Sequence, residues 1–291
     1  MPQTAAQLKV KQVPAVRRGG HPLPLLSDML VSKDNVLGID IGSSYVKVLQ
    51  LQKSVSRYSV RNCMTKALPQ AARENPAEKR RLVQEYVRDF IKEWRIRTTF
   101  ARISVSGKGV FIFSLTVPQM NKKDMRGAVG IEFKKRLPAQ MDIASISYDF
   151  FVTGPADEKG VMVQVTCIAV ERAIIDDQVQ LIKEMGLTPV GVFTVPDCLG
   201  SLLPGCLDTQ PKGTVVLLDI GALSCQLNFY KGQNLIFSRE IPIGGDHFTM
   251  AMAKNFSLPG QPAISLDDAE KLKRNWGIPL DEEAKADFLT D

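Results

Sequence analysis

Apolar and polar positions switch between two periods along this chain, and the switches predict an α/β order. Val36–Ile41 is a short apolar run closed by Gly42-Ser43-Ser44, and apolar residues resume over Tyr45–Leu51, which predicts strand, small-residue turn, strand. A third strand is expected at about 58–65. Leu82, Val83, Tyr86, Val87, Phe90, Ile91 and Trp94 then recur at helical spacing, predicting an amphipathic helix over about 77–95 whose stripe faces a core. Strands are expected at 101–105 and 110–117. Asn121 suits the N-cap of a helix through Arg136, with Met125, Ala128, Val129 and Phe133 on its buried side and Pro138 just beyond. Two strands, 147–153 and 161–170, follow around a polar turn, so this middle segment reads strand–helix–strand–strand. A helix at about 171–185 ends at Gly186, a strand spans 187–194, and a helix lies near 197–203.

From Thr214 the opening pattern returns. Thr214–Ile220 predicts a buried strand, Gly221-Ala222 a turn, and 224–230 and 235–241 further strands. Gly244-Gly245 precedes a helix to about Phe256, and Ser265 starts another through Asn275. Aligning Asp40 with Asp219 sets VLGIDIGSSYVKVL against VVLLDIGALSCQLN, 179 residues apart. One such run is weak evidence, because glycine turns commonly join strands. Two copies, each opening an α/β unit, carry more weight.

A tight glycine or serine turn exposes backbone N–H groups with no large side chain in the way, which forms a concave anion site. Ser43 and Ser44 could add hydroxyl donors, and Lys47 on the outgoing strand could supply a point charge to phosphates. Gln226 stands where the first copy has Lys47, so the two turns differ. Asp40 and Asp219, at the strand ends, are candidates to face each other across a cleft and hold Mg²⁺ through its waters. Gly244-Gly245 offers bare N–H groups at a helix N-terminus. For either aspartate alone, turn capping is the simpler account; the pair favours a nucleotide.

Composition narrows the choices. The 291 residues are 44% hydrophobic with net charge +6, enough for two domains and without the bias of a disordered chain. No apolar run approaches the roughly 20 residues that span a bilayer, and no signal-like segment opens the chain, so a cytoplasmic protein is expected. Lys and Arg are scattered, arguing against nucleic acid as a partner. Five cysteines without a CxxC pair read as small buried hydrophobes, and two histidines leave zinc sites and His-based triads unsupported. Residues 1–34 carry five Lys or Arg against two Asp and four prolines, which predicts a flexible basic tail with a Leu-rich docking stretch at 23–30.

These residues resemble the actin/Hsp70/sugar-kinase superfamily, in which paired turns hold the phosphates of ATP. VPQMNKKDMRGAVGIEFKKRLP (117–138), GIDIGSSYVKVLQL and IPIGGDHFTMAMAKNF are similar to the type IV pilus PilM family, over about 36–280. The resemblance implies an actin-like (ribonuclease H-like) duplicated α/β core with an inserted 1C-type subdomain, as in FtsA. The boundaries it suggests are a tail at 1–34, subdomain 1A over 35–100 and 187–212, the insertion at 101–186, and 2A with the start of 2B at 213–291. Residues 277–291 hold no complete element, so the chain is expected to stop inside a domain, before the late glycine-rich adenosine motif. The resemblance further implies ATP and Mg²⁺ held by Asp40, Gly42, Ser43, Ser44, Lys47, Asp219, Gly221, Gly244 and Gly245, with Asp40 and Asp219 at the metal. It implies a scaffold docking the N-terminal cytoplasmic peptide of a PilN-like membrane protein beside the insertion, peripheral to the inner membrane. Contacts with pilus motor and platform proteins and self-association belong to the same expectation. Hydrolysis is expected to be slow at most and no catalytic residue is assigned; Thr194 stands where an acidic residue is frequent, and Asp197 is a weak substitute. The competing readings are an FtsA-like or secretion-system protein and, further off, a sugar-kinase-type phosphotransferase.

Overall fold

The computed structural model describes residues 13–14, 35–53, 57–138, 141–206, 213–255 and 264–277. It divides into two compact units, 1–217 with 228–239, and 218–227 with 240–291. The first unit opens on the predicted strand–turn–strand: β2 (Asn35–Ile41) and β3 (Tyr45–Lys53) pair antiparallel, and β4 (Arg57–Ala67) extends the meander. Two tail residues, forming β1 (Val13–Pro14), pair with the outer edge of β4. The expected Leu-rich stretch at 23–30 lies outside the described residues.

A short helix α1 (Gln70–Glu74), not legible in the apolar pattern, precedes α2 (Pro76–Glu93). Asn75 caps α2 by accepting from the N–H groups of Ala77 and Glu78, and Pro76 sits at the first helical position, where its missing N–H costs nothing. Leu82, Val83, Val87 and Phe90 are buried as the periodicity predicts. Trp94 is not: α2 has ended, Trp94 is its C-cap, and the side chain is 51% exposed.

β5 (Phe100–Val105) runs parallel to β2, and β9 (Thr188–Thr194) parallel to β5, giving the sheet order β1-β4-β3-β2-β5-β9. Parallel pairing needs a crossover. The one from β2 to β5 carries α2, and the one from β5 to β9 carries the insertion and α4 (Arg172–Glu184). Leu37, Ile39, Val46, Val48, Ile103 and Phe90 form the shared core with Leu181 and Ile182 of α4.

The insertion has its own sheet, with order β6 (Val110–Pro118), β8 (Met162–Glu171), β7 (Ile146–Pro155), all antiparallel. Helix α3 (Lys122–Lys134) covers one face with Met125, Val129 and Phe133, and Asn121 caps it through the N–H groups of Lys123 and Asp124. Chain order is therefore strand–helix–strand–strand, as the pattern predicts.

After α5 (Val195–Cys206), β10 (Thr214–Ile220), β11 (Cys225–Lys231) and β12 (Asn234–Ile241) repeat the opening meander in the order β10-β11-β12. β10 differs from the buried strand expected: Val216, Leu218 and Ile220 are each about half exposed, because no described element covers that face. The second unit continues with α6 (Gly245–Asn255) and α7 (Leu266–Trp276), packed through Met252, Ala269 and Leu272. Ser265 caps α7 by accepting from Asp268 N–H. No helix among the described residues is long and apolar enough to cross a membrane.

Candidate functional site

The two glycine turns are built alike. In the first, Gly42 N–H donates to Tyr45 O at 2.9 Å; in the second, Gly221 N–H donates to Ser224 O at 3.0 Å. Each glycine thus closes its own turn, leaving the next two residues, Ser43-Ser44 and Ala222-Leu223, at the tip. Their glycine requirement is steric, since neither has positive φ. A Cβ at Gly42 would lie 3.2 Å from Tyr45 O, and one at Gly221 would lie 2.8 Å from Ser224 O.

In the first unit, antiparallel register sets Lys47 opposite Asp40, and parallel register sets Ser104 of β5 beside it. Lys47 Nζ lies 3.2 Å from Asp40 Oδ2, and Ser104 Oγ donates to Oδ1 at 2.8 Å. The structure therefore brings together Asp40, Gly42, Ser43, Ser44 and Lys47. It adds Ser104, which no local pattern marks, because only strand pairing across 64 residues brings it to Asp40.

In the second unit, Asp219 is exposed at the end of β10. Gly244-Gly245 lie against the turn: Gly245 N–H donates to Gly221 O and Asp246 N–H to Ala222 O, both at 2.9 Å, while Gly244 N–H donates to His247 Nδ1 at 3.1 Å. A Cβ on Gly244 would meet Ala222 O at 2.5 Å, so only glycine permits this approach. The N–H groups expected to be bare at this helix start are taken up by the turn and by His247.

A polar cluster backs the same glycine pair. Lys273 Nζ donates to Gly245 O at 2.9 Å and to Thr249 Oγ1 at 2.6 Å, and pairs with Glu270 at 2.5 Å. Burial raises the Glu270 pKa, but bonds from Lys273, Thr249 and Arg274 outweigh it and hold the carboxyl at about 2, against an ordinary 4.5. The i, i+3 spacing of Glu270 and Lys273 is legible in sequence; their convergence on Gly245 is not.

A groove of about 660 Å³ opens in the first unit between the insertion and the α5/β11–β12 region. Met120, Phe151 and Val152 expose apolar surface in it, over a floor of buried Met125, Phe150, Tyr230 and Leu235, with Lys122, Asp197 and Lys231 among its charged lining residues. Two buried bonds fix its frame: Thr166 Oγ1 of β8 donates to Leu235 O at 2.6 Å, and Tyr230 Oη donates to Pro196 O at 2.6 Å.

The sequence profile of one family, described as type IV pilus assembly protein PilM, matches residues 38–289. The chain belongs to that family. Its structure is also similar to that of a chain in the PilM–PilN type IV pilus biogenesis complex, with TM-score 0.70 and 25% identity over 88% of this chain and 73% of that one. Two further likenesses have TM-scores below 0.5 and 9% identity. The cytoplasmic domain of EpsL, an inner membrane component of the type II secretion system of Vibrio cholerae, scores 0.47 over 79% of each chain. The ethanolamine utilization protein EutJ from Carboxydothermus hydrogenoformans scores 0.45 over 89% of this chain and 67% of that one. The fold is actin-like, with the strand–turn–strand opening duplicated; the inserted sheet runs from β6 to β8, whereas β5 and α4, which the expected bounds of 101–186 included, belong to the first sheet and its core.

Proposed function

We propose that this chain is an actin-like scaffold of the type IV pilus assembly platform that docks the N-terminal peptide of a PilN-like membrane protein. The observation that carries this reading is the groove between the insertion and the α5/β11–β12 region. Its volume lies within the range of pockets that take a small ligand or a few side chains of a peptide. Exposed apolar surface of Met120, Phe151 and Val152 suits apolar anchors, while Lys122 and Lys231 favour acidic flanking residues. Held by such a partner, the chain would work in the cytoplasm at the inner membrane. Pilus motor and platform proteins would then meet it there.

The glycine turns support a second part of the proposal, binding of ATP with Mg²⁺. Ser43 and Ser44 supply hydroxyl donors at the tip of the first, and Lys47 a cation on the outgoing strand. Among the described residues no three His, Cys, Asp or Glu side chains converge as a metal cage. On this reading Asp40 would hold Mg²⁺ through its waters beside the first turn, and Asp219 stands at the corresponding end of the second. Gly244-Gly245 act on this reading by shaping the Gly221-Ala222 turn from behind. Bound Mg²⁺ would neutralise phosphate charge. With no base assigned to a water, binding and slow turnover are the expected chemistry.

Hydrogen exchange tests the docking reading. Excess PilN-like N-terminal peptide should protect amides of 119–125, 150–152 and 230–235, and unchanged exchange there would overturn it.

A further inference from the structure

The Asp40 carboxylate has two partners that differ in kind. Register places Lys47, Asp40 and Ser104 side by side on three adjacent strands, so their side chains leave one face of the sheet. The lysine contact, 3.2 Å between side chains 58% and 40% exposed, is a solvent-screened pair on a flexible four-carbon stem. The serine contact, 2.8 Å to the other oxygen, comes from a half-buried side chain with a single rotatable bond to its hydroxyl carbon. The strands do not need this bond to stay together, since Leu37–Asp40 already pair with Ala101–Ser104. Asp40 and Ser104 also share the lining of a cavity of about 440 Å³, so neither is locked into the packed core.

We infer that Ser104 is a positioning residue for Asp40. It fixes Oδ1 and thereby aims Oδ2, the oxygen that Lys47 occupies, towards the hydration shell of a nucleotide-bound Mg²⁺. When Lys47 swings towards a phosphate, this solvent-screened pair is the contact that gives way. Ser104 keeps the carboxylate from turning when it does. This inference rests on the nucleotide reading above.

The test is calorimetric titration of ATP into the full chain, with excess Mg²⁺ and separately with EDTA, for wild type, Ser104→Ala and Ser104→Thr. Loss of one ordinary net hydrogen bond predicts that Ser104→Ala weakens Mg–ATP binding about five- to tenfold. Its affinity in EDTA and its melting temperature should stay close to wild type, and Ser104→Thr, which keeps the hydroxyl, should restore the Mg²⁺ gain. An alanine variant with the full Mg²⁺ gain overturns the inference while leaving the nucleotide reading standing. So does one equally weakened in EDTA, which marks a merely structural serine. A wild-type chain that binds ATP in neither buffer overturns the nucleotide reading itself.

Discussion

Glu270→Gln removes the charge that holds the backing of the second glycine turn. In the wild type Glu270 accepts from Thr249 and pairs with Lys273 and Arg274, while Lys273 reaches Gly245 O. A carboxyl held at about 2 rather than 4.5 contributes at most about 3 kcal/mol to the folded state. Glu270 remains 31% exposed, and solvent screening brings the expected cost of the substitution to about 1–2 kcal/mol. The pKa is depressed on folding, so this stability is complete above about pH 4.5 and is lost as pH falls towards 2. Urea unfolding followed by circular dichroism at pH 7, 4 and 3 reads it directly. The wild type should exceed the variant by about 1–2 kcal/mol at pH 7, and the gap should narrow by pH 3. A gap that is absent at pH 7, or that stays constant down to pH 3, would refute the reasoning.

Three further outcomes are expected. Gly244→Ala puts a Cβ 2.5 Å from Ala222 O and should cost about 2–4 kcal/mol and raise exchange of the α6 amides, whereas Gly160→Ala, with nothing within 4 Å but a φ of +66°, should cost about 1 kcal/mol; equal costs would count against the close approach. Iodoacetamide followed by peptide mapping should label exposed Cys63 in the native protein, and should label Cys167 only after unfolding, since burial pushes its thiol up to about 12. Asn121→Ala should cost about 1 kcal/mol in thermal unfolding by uncapping α3, and Asn121→Ser should recover most of it.

Much of the fold was legible because it depends on local signals. The strand–turn–strand openings, the Asn121 and Ser265 caps and the order within the insertion all follow from period, capping and turn chemistry over a few residues. Trp94 continued the helical spacing, yet the helix stopped one residue earlier, since periodicity does not fix where the last turn frays. Cys63 lies exposed on β4, where composition suggested a buried hydrophobe. The exposed face of β10 was hidden for the same reason, as an apolar run does not reveal what covers it. At the candidate sites, local motifs marked Asp40, Gly42, Ser43, Ser44 and Lys47. Ser104, the Thr249–Glu270–Lys273 cluster and the groove arise from residues distant in sequence, and a single chain carries no local trace of those pairings.

Docking of a partner peptide by the insertion is tested most directly by calorimetric titration of a PilN-like N-terminal peptide into wild type and Val152→Asp. Val152 lines the groove and is 46% exposed, so an aspartate there places a charge among the apolar walls without disturbing the core. The wild type should bind, and the variant should bind at least tenfold more weakly with an unchanged melting temperature, about the effect of setting one uncompensated charge in an apolar contact. Equal affinity for the two proteins, or no binding by the wild type, would contradict the scaffold reading.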